Sequence, residues 1–271
     1  MRQLTHIILT AMLCTGLSTA ISMPSAEADL LGRDLDGINR SVEAYYDTDL
    51  DVTWLKDANL AKSNNFGVSG INASNGGMNW ETAHEWVDAM NASSYLGVSS
   101  WRLPNDLPIN TVEYDLNFGV EGLTDGGYAN TGPGGGWVDA DGNAASELGH
   151  LFYVTLGNLK NCEPGDAPAP DGGTRFGCVN LEDLPGAGLV HTGPFMNFDP
   201  AFYWAAQEDP RDDGARGRGF NFRNGFRLAL GKEIPRNRAW ALVDGDVGVR
   251  VAVPSSVTPE TWARLKSQLW R

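Results

Sequence analysis

Apolar positions recur at helical spacing in one early stretch. Trp80, Ala83, Val87 and Met90 fall on one stripe with Trp86 beside them, while Glu81, Glu85 and Asp88 occupy the opposite side. Asn79 stands where an N-cap belongs, so a helix is predicted to start at Trp80. Ser146 to Leu156 (SELGHLFYVTL) predicts a second helix, with Leu148, Leu151, Phe152 and Leu156 inward and Gly157-Asn158 as its stop. Elsewhere the period is two. Val42 to Leu55 (VEAYYDTDLDVTWL) predicts two short strands around Asp47-Thr48-Asp49, and Phe202-Tyr203-Trp204 predicts another. Phe220 and Phe222, then Asn224-Gly225, then Phe226, Leu228 and Leu230 predict a hairpin with its apolar positions inward. Ala239 to Val243, Asp244-Gly245 and Val247 to Val253 predict a second one. Between the helices, Gly119 to Gly142 is glycine-dense and predicts a long surface loop. Helices early and hairpins late make the expected class α+β, two helices packed on antiparallel β-hairpins with long irregular loops.

The ends read differently. Arg2 precedes an apolar or small run from Ile7 to Ile21, and Ala26-Glu27-Ala28 supplies an A-x-A cleavage signal, so residues 1–28 are expected to be a signal peptide. The run falls short of the roughly 20 residues that span a bilayer. The expected main domain is 29–253. Residues 254–271 form a tail whose Trp262, Leu265 and Leu269 fit a short amphipathic helix opened by Thr258-Pro259-Glu260. Expected localisation is secreted or periplasmic, with no membrane span in the mature chain. Cys14 lies in the leader, leaving Cys162 and Cys178, which flank a Pro- and Gly-rich stretch and suit a structural disulfide in an exported protein. Closing that loop would stabilise by roughly 3 kcal/mol in the chain-entropy picture.

Charge narrows the partners. The chain carries 34 Asp+Glu against 20 Lys+Arg, a net charge of −14, which excludes a general nucleic-acid binder. The imbalance is uneven: residues 211–271 hold 12 basic and 6 acidic residues, and all the rest of the acidity precedes them. Arg216, Arg218, Arg223 and Arg227 lie in the hairpin region, near Tyr203 and Trp204. Guanidinium forks suit sulfate and carboxylate, and aromatic faces suit sugar rings, so these six residues are the candidate ligand contacts for an acidic polysaccharide or a surface protein. The competing expectation is that the arginines neutralise the acidic part of the chain internally.

Catalytic signals are sparse. His84, His150 and His191 are isolated from one another, no H-E-x-x-H or G-x-S-x-G occurs, and no catalytic residue is assigned. Calcium is the one cofactor the sequence suggests. Asp139, Asp141 and Asn143 form an oxygen-rich loop, although Gly142 sits too early for an EF-hand; Asp47-x-Asp49-x-Asp51 is a second cluster.

An ordered set of short motifs carries a resemblance. It comprises Tyr46-Asp47, Val52 to Asn59, Met78-Asn79-Trp80 with Ala83, and Trp101-Arg102-Leu103-Pro104. Ser146 to Leu151, Tyr203-Trp204, Phe220-Asn221-Phe222 with Asn224-Gly225, and Ala239-Trp240-Ala241 complete it. Over roughly residues 45 to 247 the chain resembles the Lcl C-terminal domain family, named after a bacterial collagen-like surface adhesin. The resemblance implies a C-type-lectin-like fold and an exported, non-enzymatic binding or adhesion module. Some members end in a PEP-CTERM sorting tail, from which Ser255 to Glu260 departs. The alternatives are an enzyme related to formylglycine-generating oxidases, which needs reactive cysteines, and a purely structural secreted protein.

Overall fold

The computed structural model describes residues 29–132, 134–161 and 188–251. The expected signal peptide, the Cys162–Cys178 disulfide and the C-terminal tail lie outside the described residues.

Among the described residues, two five-stranded sheets and two α-helices make an α+β fold. Strands β1 (Leu30–Asp34), β2 (Ala44–Asp47) and β3 (Val52–Leu55) form an antiparallel meander. Strand β2 turns into β3 where the Asp-rich segment predicts, because Asp47 Oδ1 accepts the amides of Asp49 and Leu50. Helix α1 (Trp80–Ala92) follows, and the Asn79 side chain accepts the Thr82 amide at 2.7 Å, as expected of the cap. The two-residue strands β4 (Phe118–Gly119) and β5 (Gly126–Gly127) lead to α2 (Glu147–His150), which Ser146 caps through the Gly149 amide.

From Leu151 to Thr155 the second helix widens into a π turn. The extra residue per turn brings Tyr153 inward beside Leu151 and Phe152, where its hydroxyl donates to the Gly225 carbonyl at 2.7 Å. Strands β6 (Phe202–Glu208), β7 (Arg216–Asn221) and β8 (Phe226–Gly231) complete the second sheet, in the order β4-β5-β8-β7-β6. Gly225, at φ +81°, closes the β7–β8 hairpin in a conformation that a side-chain-bearing residue resists.

Three expectations are corrected. The predicted second hairpin does not form: β9 (Leu242–Asp244) pairs with β3, and β10 (Val249–Arg250) pairs with β1, at opposite edges of the first sheet. The link between them is held away from hairpin geometry. Thr53 Oγ1 donates to the Gly245 carbonyl at 2.7 Å, and buried Arg33 grips Asp246 with both Nε and Nη2. The parity of β8 is also reversed. Arg227 and Ala229 face the interior, while Phe226, Leu228 and Leu230 sit half-buried on the other side. Lastly, the glycine-dense stretch is no simple surface loop, since Asp125, Tyr128, Ala129 and Trp137 are buried.

One core joins the two sheets. Trp240, from the wholly buried Ala239-Trp240-Ala241 segment, lies 5.0 Å from the Trp54 ring on one side and 4.8 Å from Phe198 on the other. All seven tryptophans among the described residues are buried. Each brings a large apolar area, and this many rings set edge-to-face order the core as well as fill it. Gly217 admits one of them: a Cβ there would stand 2.2 Å from Trp80 Cδ1, so only glycine lets α1 settle onto β7. Among the described residues no helix is long and apolar enough to cross a membrane.

Candidate functional site

The β7–β8 hairpin divides its arginines by strand parity. Register pairs Phe220 with Arg227 and Arg218 with Ala229, so Arg218 and Arg227 share the inward face. Both are buried, at 1% and 0% exposure, and they meet three aspartates. Arg218 Nε lies 2.5 Å from Asp106 Oδ2, and Arg227 Nε lies 2.6 Å from Asp106 Oδ1. Arg227 Nη1 reaches Asp125 at 2.9 Å, and Arg218 Nη1 reaches Asp209 at 3.2 Å. Asp209 is also held by Arg211, and Asp125 caps the amides of Ile109 and Asp115. Burial alone would lower the Arg218 pKa, but the Asp106 carboxylate, Tyr114 and Asp209 reverse this, and the guanidinium is pushed upward. Three carboxylates against Arg211, Arg218 and Arg227 leave the cluster balanced. It pins the loop around residues 106–125 to the hairpin, which is a structural role.

This placement corrects much of the candidate ligand surface. Arg218 and Arg227 are internal, in line with the competing expectation of neutralisation. Tyr203 and Trp204, each at 0% exposure, are core residues; the Trp204 indole donates to the Met78 carbonyl at 3.0 Å. Arg216 and Arg223 remain exposed, at the open end and the tip of the hairpin.

The outward face of the same sheet carries a cleft of about 450 Å³. Its floor is Phe202, Leu228 and Leu230, which strand alternation places on one face with Asn221. The Asn221 side-chain oxygen accepts the Arg223 amide and sets the hairpin tip, with Arg223 on the rim. The far wall is the segment running past β6: Arg238 exchanges backbone bonds with Phe202 and Trp204, and Met78 N donates to Asn237 O at 2.9 Å. That zipper holds exposed Arg236 and buried Asn237 against the cleft. Neither Arg223 nor Arg236 has a carboxylate within salt-bridge distance among the described residues. Asn237 Nδ2 is buried without a hydrogen-bond partner among the described residues. Sequence reading missed Asn237 because a single asparagine in an arginine-rich linker carries no periodic signal.

Carboxylate groups elsewhere can hold cations to different degrees. Asp139, Asp141 and Asn143 do come together, in an exposed turn. There the Asp139 carboxylate accepts the Asp141 and Asn143 amides at 2.9 and 2.8 Å and the Asn143 side chain at 3.2 Å. These bonds, chiefly that from Asn143, hold its pKa below the ordinary value and commit its oxygens to the turn. The Asp47, Asp49 and Asp51 carboxylates have separate partners: Thr155, His150 and Tyr46. A set that the sequence did not flag, Asp34, Asp36 and Glu43, brings carboxylate oxygens within 4.8 Å of one another and could hold a metal ion. Its oxygens already accept the amides of Gly37, Ile38 and Leu35.

No protein-family model, no curated protein and no solved structure matches the chain.

Proposed function

We propose that the chain is an exported, non-enzymatic binding module of the Lcl C-terminal type, with a C-type-lectin-like fold, and that it contacts an acidic polysaccharide through the outward face of the β7–β8 hairpin. The observation carrying this reading is the pair of arginines, Arg223 and Arg236, on one cleft without carboxylate partners among the described residues. In a chain of net charge −14, two exposed guanidinium groups on one cleft, with no carboxylate of the described residues within salt-bridge distance, suit an anionic ligand. The apolar floor beside them suits the C–H face of a sugar ring. The α+β arrangement of two helices and two antiparallel-rich sheets supports the family reading.

Binding to immobilised uronate and sulfated polysaccharides at low salt, with and without calcium, tests this. Binding should weaken as salt rises and should fall strongly in Arg223→Ala/Arg236→Ala. Failure to bind any acidic glycan, or binding indifferent to both substitutions, rejects the proposal.

A further inference from the structure

Away from the cleft, the second helix meets the β2–β3 turn at two points. At Thr155, the end of the π turn, the hydroxyl donates to buried Asp47 Oδ2 at 2.8 Å. At His150, where α2 passes into that turn, ring Nε2 stands 3.7 Å from Asp49 Oδ2, beyond hydrogen-bond distance. One contact is closed and the other is open. Both His150 ring nitrogens are buried and have no hydrogen-bond partner among the described residues. That is unfavourable for the ring, and a neutral imidazole can donate from only one of the two nitrogens, whereas a charged one donates from both. The His150 side chain is 12% exposed and that of Asp49 27%, so the carboxylate is the freer partner. Its backbone is fixed, because the Asp49 amide donates to Asp47 Oδ1 at 3.1 Å, and closing the gap needs only a side-chain rotation. Of the charged groups near the ring among the described residues, Asp49 acts on it directly. Asp47 is turned to Thr155, and Glu147, on the same helix, is held by Arg102 at 2.7 Å. Gly136, from the glycine-dense stretch, packs against the His150 backbone and brings no charge. Burial holds the His150 pKa below the ordinary value against the opposing pull of Asp49, so the ring is neutral at pH 7.

We infer that His150 and Asp49 form a proton-driven latch: on taking a proton from solvent, the ring draws the Asp49 carboxylate into hydrogen-bond distance and ties the β2–β3 turn to the second helix at a second point. The Asp47–Thr155 bond is the fixed end of the latch, and the partly exposed Asp49 side chain is its moving end.

The test is an NMR pH titration of the full chain from the neutral to the acid side of the ordinary histidine value of about 6.5, following the His150 ring and the Asp49 carboxyl carbon. As the ring takes its proton, the Asp49 signal should move with the same midpoint, and the ring N–H groups should become protected from solvent exchange. Asp49→Asn keeps Asp47 in place, so the proton on Asp47 cancels in the comparison with the wild type. It should weaken proton binding by the ring about tenfold, the effect of removing one nearby opposite charge. His150→Gln should abolish the movement of the Asp49 signal at that midpoint. Should this variant not fold, the ring comparison between the wild type and Asp49→Asn decides the matter by itself. A ring that titrates while the Asp49 signal stays still, or at the same pH in Asp49→Asn, overturns the latch. Faster solvent exchange of the ring on protonation also overturns it, because the charged imidazole would then be leaving the interface instead of closing it.

Discussion

Arg218 and Arg227 stand side by side on the buried face of one hairpin and divide a single carboxylate between them, that of Asp106, more than a hundred residues earlier in the chain. The arrangement converts two residues that look like surface cations into the anchor of a long loop. Buried ion clusters are costly to break from one side because the remaining charges are left with only part of their compensation, here Asp209 for Arg218 and Asp125 for Arg227.

Asp106→Ala should therefore destabilise by about 3–5 kcal/mol, read from urea unfolding. Asp106→Asn, which keeps the shape and part of the hydrogen bonding, should cost less. A loss within experimental error for Asp106→Ala would show that solvent, not Asp106, compensates the two arginines.

Gly217→Ala places a methyl group against the Trp80 ring. The expected loss is about 1–3 kcal/mol, typical of overpacking. It should come with a change in tryptophan emission, because α1 must lift from the sheet. Unchanged stability would mean that Trp80 can rotate away at little cost.

Asp47 supplies a pH signature. It is fully buried, and burial pushes its pKa from 3.8 to about 6, against the opposing hydrogen bonds from Thr155, Leu50 and Asp49. The folded state therefore holds this proton more tightly than the unfolded state. Its contribution favours the folded state below about pH 4 and is lost as pH rises through about 6, by up to roughly 3 kcal/mol. Asp47→Asn removes this dependence, so the stability of the wild type relative to the variant should grow between pH 7 and pH 4.5. Parallel pH profiles from chemical denaturation would contradict it.

The readable elements are those whose partners are near in sequence. Helix α1, its Asn79 cap, the β2–β3 turn and the β7–β8 hairpin depend on contacts within a few residues, and periodicity exposes them. The candidate site was only partly legible. Arg216 and Arg223 are exposed, but Tyr203 and Trp204 belong to the core, and Asn237 joins the cleft only because residues 236–238 run beside β6.

Helical and strand spacing, the exposure of the hairpin tip and the uneven distribution of charge could all be read from the chain, since local backbone geometry repeats at fixed periods. Three features needed the folded molecule: which face of β8 turns inward, the separation of β9 from β10, and which arginines meet buried carboxylates. Those outcomes turn on Asp106, Asp125, Asp246 and Thr53, residues brought in from distant segments. A buried guanidinium met by such carboxylates can outcompete a leucine for an inward position, and no local pattern records that competition.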